Sequence, residues 1–89
     1  MVQIFFIYAE NCEHCQKALE TIESAVSKCK NISCDLKKFL YNDNAALAIA
    51  VNRGIDDLPG IVIGDSTFIG KNYTEALIIK AIKNHERVQ

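Results

Sequence analysis

The feature that most constrains this chain is a strand-like segment that leads through two cysteines into a helix-like segment. Residues Val2–Tyr8 are almost all apolar, β-branched or aromatic, which is typical of a buried strand. From Cys15 to Cys29, apolar residues recur at helical spacing. The sequence Cys12-Glu13-His14-Cys15 therefore lies where a strand gives way to a helix, and we expect Asn11 to cap that helix.

A cysteine at the N-terminus of a helix is in a chemically special place. Unpaired backbone N–H groups and the positive end of the helix dipole stabilise the thiolate, which is the reactive form of cysteine. We therefore expect Cys12 to attack a substrate disulfide and Cys15, one turn deeper, to resolve the mixed disulfide. His14 is expected to tune the thiolate as a cation or hydrogen-bond donor; the alternative is an exposed, solvated side chain.

Length and charge exclude several classes of protein. The 89 residues, 49% of them hydrophobic, predict one domain over residues 1–89 with a single core. A net charge of −1 leaves no basic stripe for nucleic acid. No targeting segment or membrane-spanning run of about 18 apolar residues is evident. We therefore expect a cytoplasmic monomer that binds neither nucleic acid nor membrane.

The rest of the chain predicts alternating strands and helices. Period-two alternation predicts a second strand at an edge of the sheet, with its end or a bulge near Lys38–Tyr41, where the alternation slips. Gly54 is expected to end the second helix, and Asn72 to open the last one as part of a capping box with Glu75. The predicted elements are strands at 32–36, 61–63 and 67–69 and helices at 45–51 and 73–85.

The resulting order is β-α-β-α-β-β-α. A strand–helix–strand opening favours parallel pairing through a right-handed crossover, whereas the late hairpin must be antiparallel. The sequence thus predicts an α/β fold in which a four-stranded mixed sheet carries helices on both faces.

Several short motifs along the chain point to one known family. They are Tyr8, Cys12-x-x-Cys15, Gly54, Leu58-Pro59, Gly64-Asp65 and Ile69-Gly70. With these residues the chain resembles the glutaredoxin branch of the thioredoxin fold over essentially its whole length. The resemblance implies a dithiol thiol-disulfide oxidoreductase with a cis peptide bond before Pro59. It also implies that this loop lies against the Cys12 sulfur, where the Leu58 backbone pairs with an extended substrate.

Further substrate contacts are expected at the start of the last helix. Backbone N–H groups near Lys71, Asn72 and Thr74 could hold a substrate carboxylate, the alternative being ordinary capping and solvation. The expected substrate is a protein or small-molecule disulfide. The expected electron donor is glutathione, a thioredoxin-type reductase or another dithiol, with no metal or organic cofactor required.

The second function class is a metal-binding module, with zinc held by all four cysteines or an iron–sulfur cluster bridging two chains. Against zinc, Cys29 lies about four helical turns, roughly 25 Å, from Cys12. Cys29 and Cys34 fall on apolar faces of their elements. They are therefore expected to pack as small core residues, with a disulfide between them as the alternative.

Overall fold

The first strand lies inside the sheet because most of its side chains are apolar. The computed structural model describes residues 1–88, with side chains for residues 1–86. The elements are β1 (Val2–Tyr8), α1 (Glu13–Lys28), β2 (Cys34–Leu40), α2 (Asn44–Arg53), β3 (Gly60–Ile63), β4 (Ser66–Ile69) and α3 (Glu75–Val88). This order confirms the predicted β-α-β-α-β-β-α pattern.

The four strands form one mixed sheet in the order β2-β1-β3-β4. β1 pairs with β2 in parallel and with β3 in antiparallel orientation, and β3 pairs with β4 as a hairpin. The prediction of a mixed sheet with the second strand at an edge is therefore confirmed.

The extent of β2 differs from the prediction. The strand runs over Cys34–Leu40 rather than 32–36. Its parallel register is unbroken from Val2↔Cys34 to Tyr8↔Leu40, so there is no bulge, and the strand ends within the segment Lys38–Tyr41 where its end or a bulge was expected. The side-chain alternation is weak here because an edge strand is only partly covered, but the seven backbone pairings with β1 still set its length.

The helices lie on both faces of the sheet, as predicted. α1 and α3 pack against each other and cover the face of β1 that carries Ile4 and Phe6. α2 lies on the other face, where Leu47 and Ala50 line a cavity together with Ile7. The main core is built from β1, α1, β3 and α3; its buried members are Val2, Ile4, Phe6, Cys15, Ala18, Ile22, Ala25, Cys29, Ile61, Ile63, Ile78, Ala81 and Ile82.

The start of α1 differs from the prediction by one residue. Asn11 adopts a left-handed conformation with φ of 55°, which belongs to the turn before the helix. Cys12 is extended, with φ of −112° and ψ of 107°, and its sulfur accepts the capping hydrogen bond. The expectation that Asn11 caps this helix is therefore wrong, because the turn places Cys12 in the capping position.

The start of α3 also lies later than predicted. Thr74 caps this helix, since its Oγ1 accepts a hydrogen bond from the backbone N–H of Leu77 at 3.1 Å. The backbone N–H of Asn72 instead donates to the carbonyl of Ile69, so Asn72 belongs to the preceding turn and its predicted capping box is wrong. The predicted end of the second helix is confirmed, because Gly54 forms its left-handed C-cap with φ of 67°.

None of the helices within residues 1–88 combines the length and apolar character that crossing a membrane requires.

Candidate redox site

The two cysteines of the C-x-x-C sequence are joined by a disulfide in this structure. Their Cα atoms are 5.2 Å apart, within the range that a disulfide requires. Cys12 is partly exposed at the N-cap of α1, whereas Cys15 is only 3% exposed within the first turn. This difference in access matches the predicted outer and inner positions of the pair.

The backbone of α1 interacts directly with the Cys12 sulfur. The N–H of Cys15 donates to Cys12 Sγ at 3.2 Å, so the sulfur takes the place of the oxygen in an ordinary N-cap. This N–H has no carbonyl partner within the helix and lies at the positive end of a 16-residue helix. It therefore stabilises the sulfur as a thiolate once the disulfide is reduced.

A cavity of about 250 Å³ opens beside the disulfide. Its wall is mainly apolar because Phe6 and Tyr8 stack in parallel there, with ring centroids 5.7 Å apart. Both sulfur-bearing residues contribute to the lining, as do Gln16 and Leu19 of the next helical turn. The cavity gives the disulfide a partly apolar environment with access from solvent.

The proline loop lies at the same end of the sheet as Cys12. The register that pairs Ile7 with Gly60 places Pro59 beside Tyr8, four residues before Cys12. The peptide bond between Leu58 and Pro59 is cis, as the resemblance implies. Leu58 and Cys12 also pack against one and the same core.

Two backbone groups of the proline loop, the Leu58 N–H and the Pro59 carbonyl, form hydrogen bonds, whereas the Leu58 carbonyl forms none with the described residues. The carbonyl of Pro59 accepts a hydrogen bond from Gly70 N–H at 2.8 Å, which ties the loop to the start of the segment before α3. Leu58 N–H is bonded to the side chain of its neighbour Asp57, at 2.8 Å from Oδ1. Within residues 1–88 the Leu58 carbonyl has no hydrogen-bond partner, so it remains available for pairing.

The charges closest to the cysteines in sequence are exposed. His14 lies on the solvent side of the first turn of α1, and no residue of the described chain forms a hydrogen bond or ion pair with its side chain. Glu10 precedes the pair and Glu13 lies between the two cysteines, and both are likewise exposed. The role of His14 in tuning the thiolate stays a prediction.

The predicted substrate residues before α3 have different surroundings. Lys71 and Asn72 are exposed in the turn, and Thr74 is exposed while it caps the helix. The helix start also carries Glu75, whose carboxylate pairs with Lys28. The cap and this carboxylate both compete with an incoming anion, and binding of a substrate carboxylate here stays a prediction.

The other two cysteines lie far from the disulfide. Cys34 pairs with Val2 at the beginning of β1, whereas Cys12 follows the far end of that strand. Six residues of strand correspond to about 20 Å. Cys29 is buried at the C-cap of α1, and both thiols are free. Residues 1–88 contain no group of three or more His, Cys, Asp or Glu side chains arranged to hold a metal ion.

Three residues of this site have no place in the sequence-based prediction. Gln16 and Leu19 line the cavity because each lies four residues after one of the cysteines, on the same face of α1. Asp57 accepts a hydrogen bond from the N–H of the next residue, and no sequence pattern predicts this contact.

Comparison with known proteins shows the fold but gives no close relative. No family model and no curated protein matches the sequence. Among solved structures, chloroplastic thioredoxin z is similar with a TM-score of 0.70 and 20% identity, over 98% of this chain and 80% of that one. Thioredoxin-2, described as a component of the malaria parasite protein secretion machinery, has a TM-score of 0.67 and 19% identity, over 96% and 84% of the two chains. A further malarial protein has a TM-score of 0.66 and 17% identity, over 96% and 97%.

These similarities, together with the sheet order and the position of the disulfide, show that the chain has the thioredoxin fold. The predicted fold class is therefore confirmed.

Proposed function

We propose that this protein is a dithiol thiol-disulfide oxidoreductase that uses Cys12 as its nucleophile and Cys15 as its resolving thiol. The observation that carries the proposal is the Cys12–Cys15 disulfide at the N-terminus of α1, with Cys12 Sγ bonded to the backbone N–H of Cys15. The redox chemistry of such a pair needs no other group on the protein.

The proposed reaction begins with the reduced protein. The Cys12 thiolate attacks one sulfur of the substrate disulfide, forming a mixed disulfide and releasing one substrate thiolate. Cys15 loses its proton to solvent and attacks Cys12 Sγ, which closes the Cys12–Cys15 disulfide and releases the second substrate thiolate. The protein gives up two electrons to the substrate, and the two substrate thiolates take protons from solvent.

The substrate is proposed to be a protein or small-molecule disulfide whose extended chain pairs with the Leu58 backbone. Tyr8 and Pro59 border this position, and His14, Lys71, Asn72 and Thr74 are proposed to contribute as predicted from the sequence. Glutathione, a thioredoxin-type reductase or another dithiol returns the two electrons. We propose that the protein acts as a cytoplasmic monomer.

Reduction of a peptide disulfide with dithiothreitol as the electron donor tests this function. We expect Cys12→Ser to abolish turnover, because no thiolate remains at the N-cap of α1. Cys15→Ser should accumulate a mixed disulfide between Cys12 and the peptide, visible by mass spectrometry. Cys34→Ser is the matched control and should turn over like the wild type, since Cys34 lies at the opposite end of β1. Full turnover by Cys12→Ser would refute the assignment.

A further inference from the structure

The side chain of Asp57 occupies the backbone donor that the proposed substrate strand needs. Asp57 Oδ1 accepts a hydrogen bond from Leu58 N–H at 2.8 Å. A strand added in antiparallel orientation pairs through both the N–H and the carbonyl of one residue. At Leu58 the carbonyl is unbonded within the described chain, so the N–H is the only one of the two groups already in use.

The second carboxylate oxygen of Asp57 lies close to the segment before α3. A β-carbon built on Gly70 would lie 2.8 Å from Asp57 Oδ2, so a side chain at residue 70 would push the carboxylate out of its present position. Gly70 also has φ of 63°, a conformation that glycine adopts without strain. Its backbone N–H holds the Pro59 carbonyl at 2.8 Å. Gly70 thus holds the loop through its N–H and leaves the space that the Asp57 carboxylate occupies.

The Asp57 carboxylate is free to leave this position. The residue is exposed, and it has no ion pair with any described residue. Its hydrogen bond to Leu58 is its only one in the described chain. A bond from a backbone N–H to a carboxylate is stronger than one to a peptide carbonyl, so a substrate carbonyl must compete for the N–H.

We propose that Asp57 determines how tightly extended substrates bind, by capping the Leu58 N–H until a substrate backbone displaces the carboxylate. This inference rests on the proposed function, because it assumes that substrates pair at Leu58. Substrates with an extended peptide backbone meet this competition, whereas small disulfides without a backbone do not. Asp57 is therefore a specificity-determining residue and takes no part in the electron transfer.

The main comparison of the test uses two substrates and three proteins. The substrates are an extended peptide disulfide and hydroxyethyl disulfide, an uncharged molecule that has no peptide backbone. The proteins are the wild type, Asp57→Ala and the matched control Asp56→Ala, which removes an adjacent exposed carboxylate that forms no hydrogen bond within the described chain. The measured quantities are KM and kcat for each pair.

We expect Asp57→Ala to lower KM for the peptide about two- to tenfold, the factor that corresponds to one ordinary hydrogen bond, with kcat unchanged. The same variant should leave the kinetics with hydroxyethyl disulfide unaltered, and Asp56→Ala should match the wild type on both substrates. Asp57→Asn, which keeps the shape but weakens the acceptor, should shift KM for the peptide in the same direction by a smaller factor. If Asp57→Ala does not fold, the KM of Asp57→Asn for the peptide is compared with that of the wild type instead.

Two results separate the inference from the proposed function. If the wild type reduces both substrates but the Asp57 variants leave KM for the peptide unchanged or raise it, the capping role is overturned and the oxidoreductase stands. An equal gain with Asp56→Ala would also overturn it, since the effect would then be one of general charge. If the wild type reduces neither substrate, the proposed function itself fails.

Discussion

Cys12 Sγ lies 3.2 Å from the backbone nitrogen of Cys15, so an N–H of the first turn of α1 donates a hydrogen bond to the proposed nucleophile. This contact should make Cys12 the most reactive thiol of the reduced protein. We expect iodoacetamide to label Cys12 first when the pH is raised from about 6 to about 9, with each cysteine followed by mass spectrometry.

Cys34 provides the internal comparison in that experiment. Burial, and to a smaller extent the nearby Cys29 thiol, raises the pKa of Cys34 above its ordinary value. Its thiolate fraction is therefore smaller than that of a free cysteine at every pH below this raised pKa, and its labelling should need more alkaline conditions. Faster labelling of Cys34 than of Cys12 near neutral pH would contradict the proposed activation of Cys12.

Removal of the Thr74 hydroxyl should destabilise the protein through the start of α3. Thr74→Ala leaves the Leu77 N–H without its cap, which costs about 1 kcal/mol in the free energy of unfolding. Thr21→Ala is the matched control, because the Thr21 hydroxyl only donates to the Lys17 carbonyl within α1. Its effect should stay within about 0.5 kcal/mol. Urea denaturation measures both, and equal losses would refute the capping role of Thr74.

The ion pair between Lys28 and Glu75 should make stability depend on pH. The hydrogen bond from Lys28, with a further one from Ser24, holds the pKa of Glu75 below its usual value. Because the pKa is lower in the folded state, the stabilisation is fully present above the unfolded pKa of about 4.3 and is lost as the pH falls through the folded value.

Lys28→Gln should therefore lower the urea midpoint near neutral pH, and the difference from the wild type should shrink in acid. Lys17→Gln is the control, since Lys17 is exposed on the same helix and has no ion pair within the described chain. A difference that persists unchanged at low pH would show that Lys28 contributes by packing of its aliphatic stem rather than by charge.

Only one disulfide should form when the reduced protein is equilibrated with graded mixtures of reduced and oxidised glutathione. Cys29 is 4% exposed in the core and Cys34 lies in an edge strand, and the two thiols are free in a structure in which Cys12 and Cys15 are joined. Mass spectrometry after acid quenching should show the loss of two hydrogen atoms per chain. Loss of four would show that Cys29 and Cys34 are a second redox pair.

The main elements of the fold could be predicted because their patterns are local and strong. Val2–Tyr8 is apolar at every position except Gln3, and a nearly continuous apolar run of this kind is typical of a strand covered on both faces. The apolar spacing of α1 placed Cys15 inward and Cys12 at the rim, and both positions are observed. The Gly54 C-cap could also be predicted from the sequence, because a helix end with left-handed backbone favours glycine.

The helix starts could not be predicted to the residue, because several short polar side chains competed for each cap. Asn11 and Asn72 are good capping residues by type, but both lie in turns whose backbone is fixed by the chain around them. Cys12 and Thr74 take the caps instead. Tertiary geometry, which the sequence pattern does not contain, decided both cases.

The residues that β2 spans could not be predicted from the local side-chain pattern either. Lys37 and Lys38 interrupt the side-chain alternation, yet both residues remain in the parallel ladder opposite Phe5 and Phe6. Their backbone groups bond to β1 whatever their side chains do. The contact between Asp57 and Gly70 is a further case, since it joins two loops that are thirteen residues apart in the chain.

The position of β2 at the border of the sheet has a consequence for encounters with other chains. Its outer edge has unpaired backbone groups, and Lys37 and Lys38 are both exposed along it. Exposed lysines on an edge strand hinder a second copy from extending the sheet there. At the opposite border, β4 has only four residues, so an added strand could form few backbone hydrogen bonds with it. Self-association by strand pairing is thus disfavoured on both sides, whereas the loop at Leu58 is where we propose that a substrate backbone pairs.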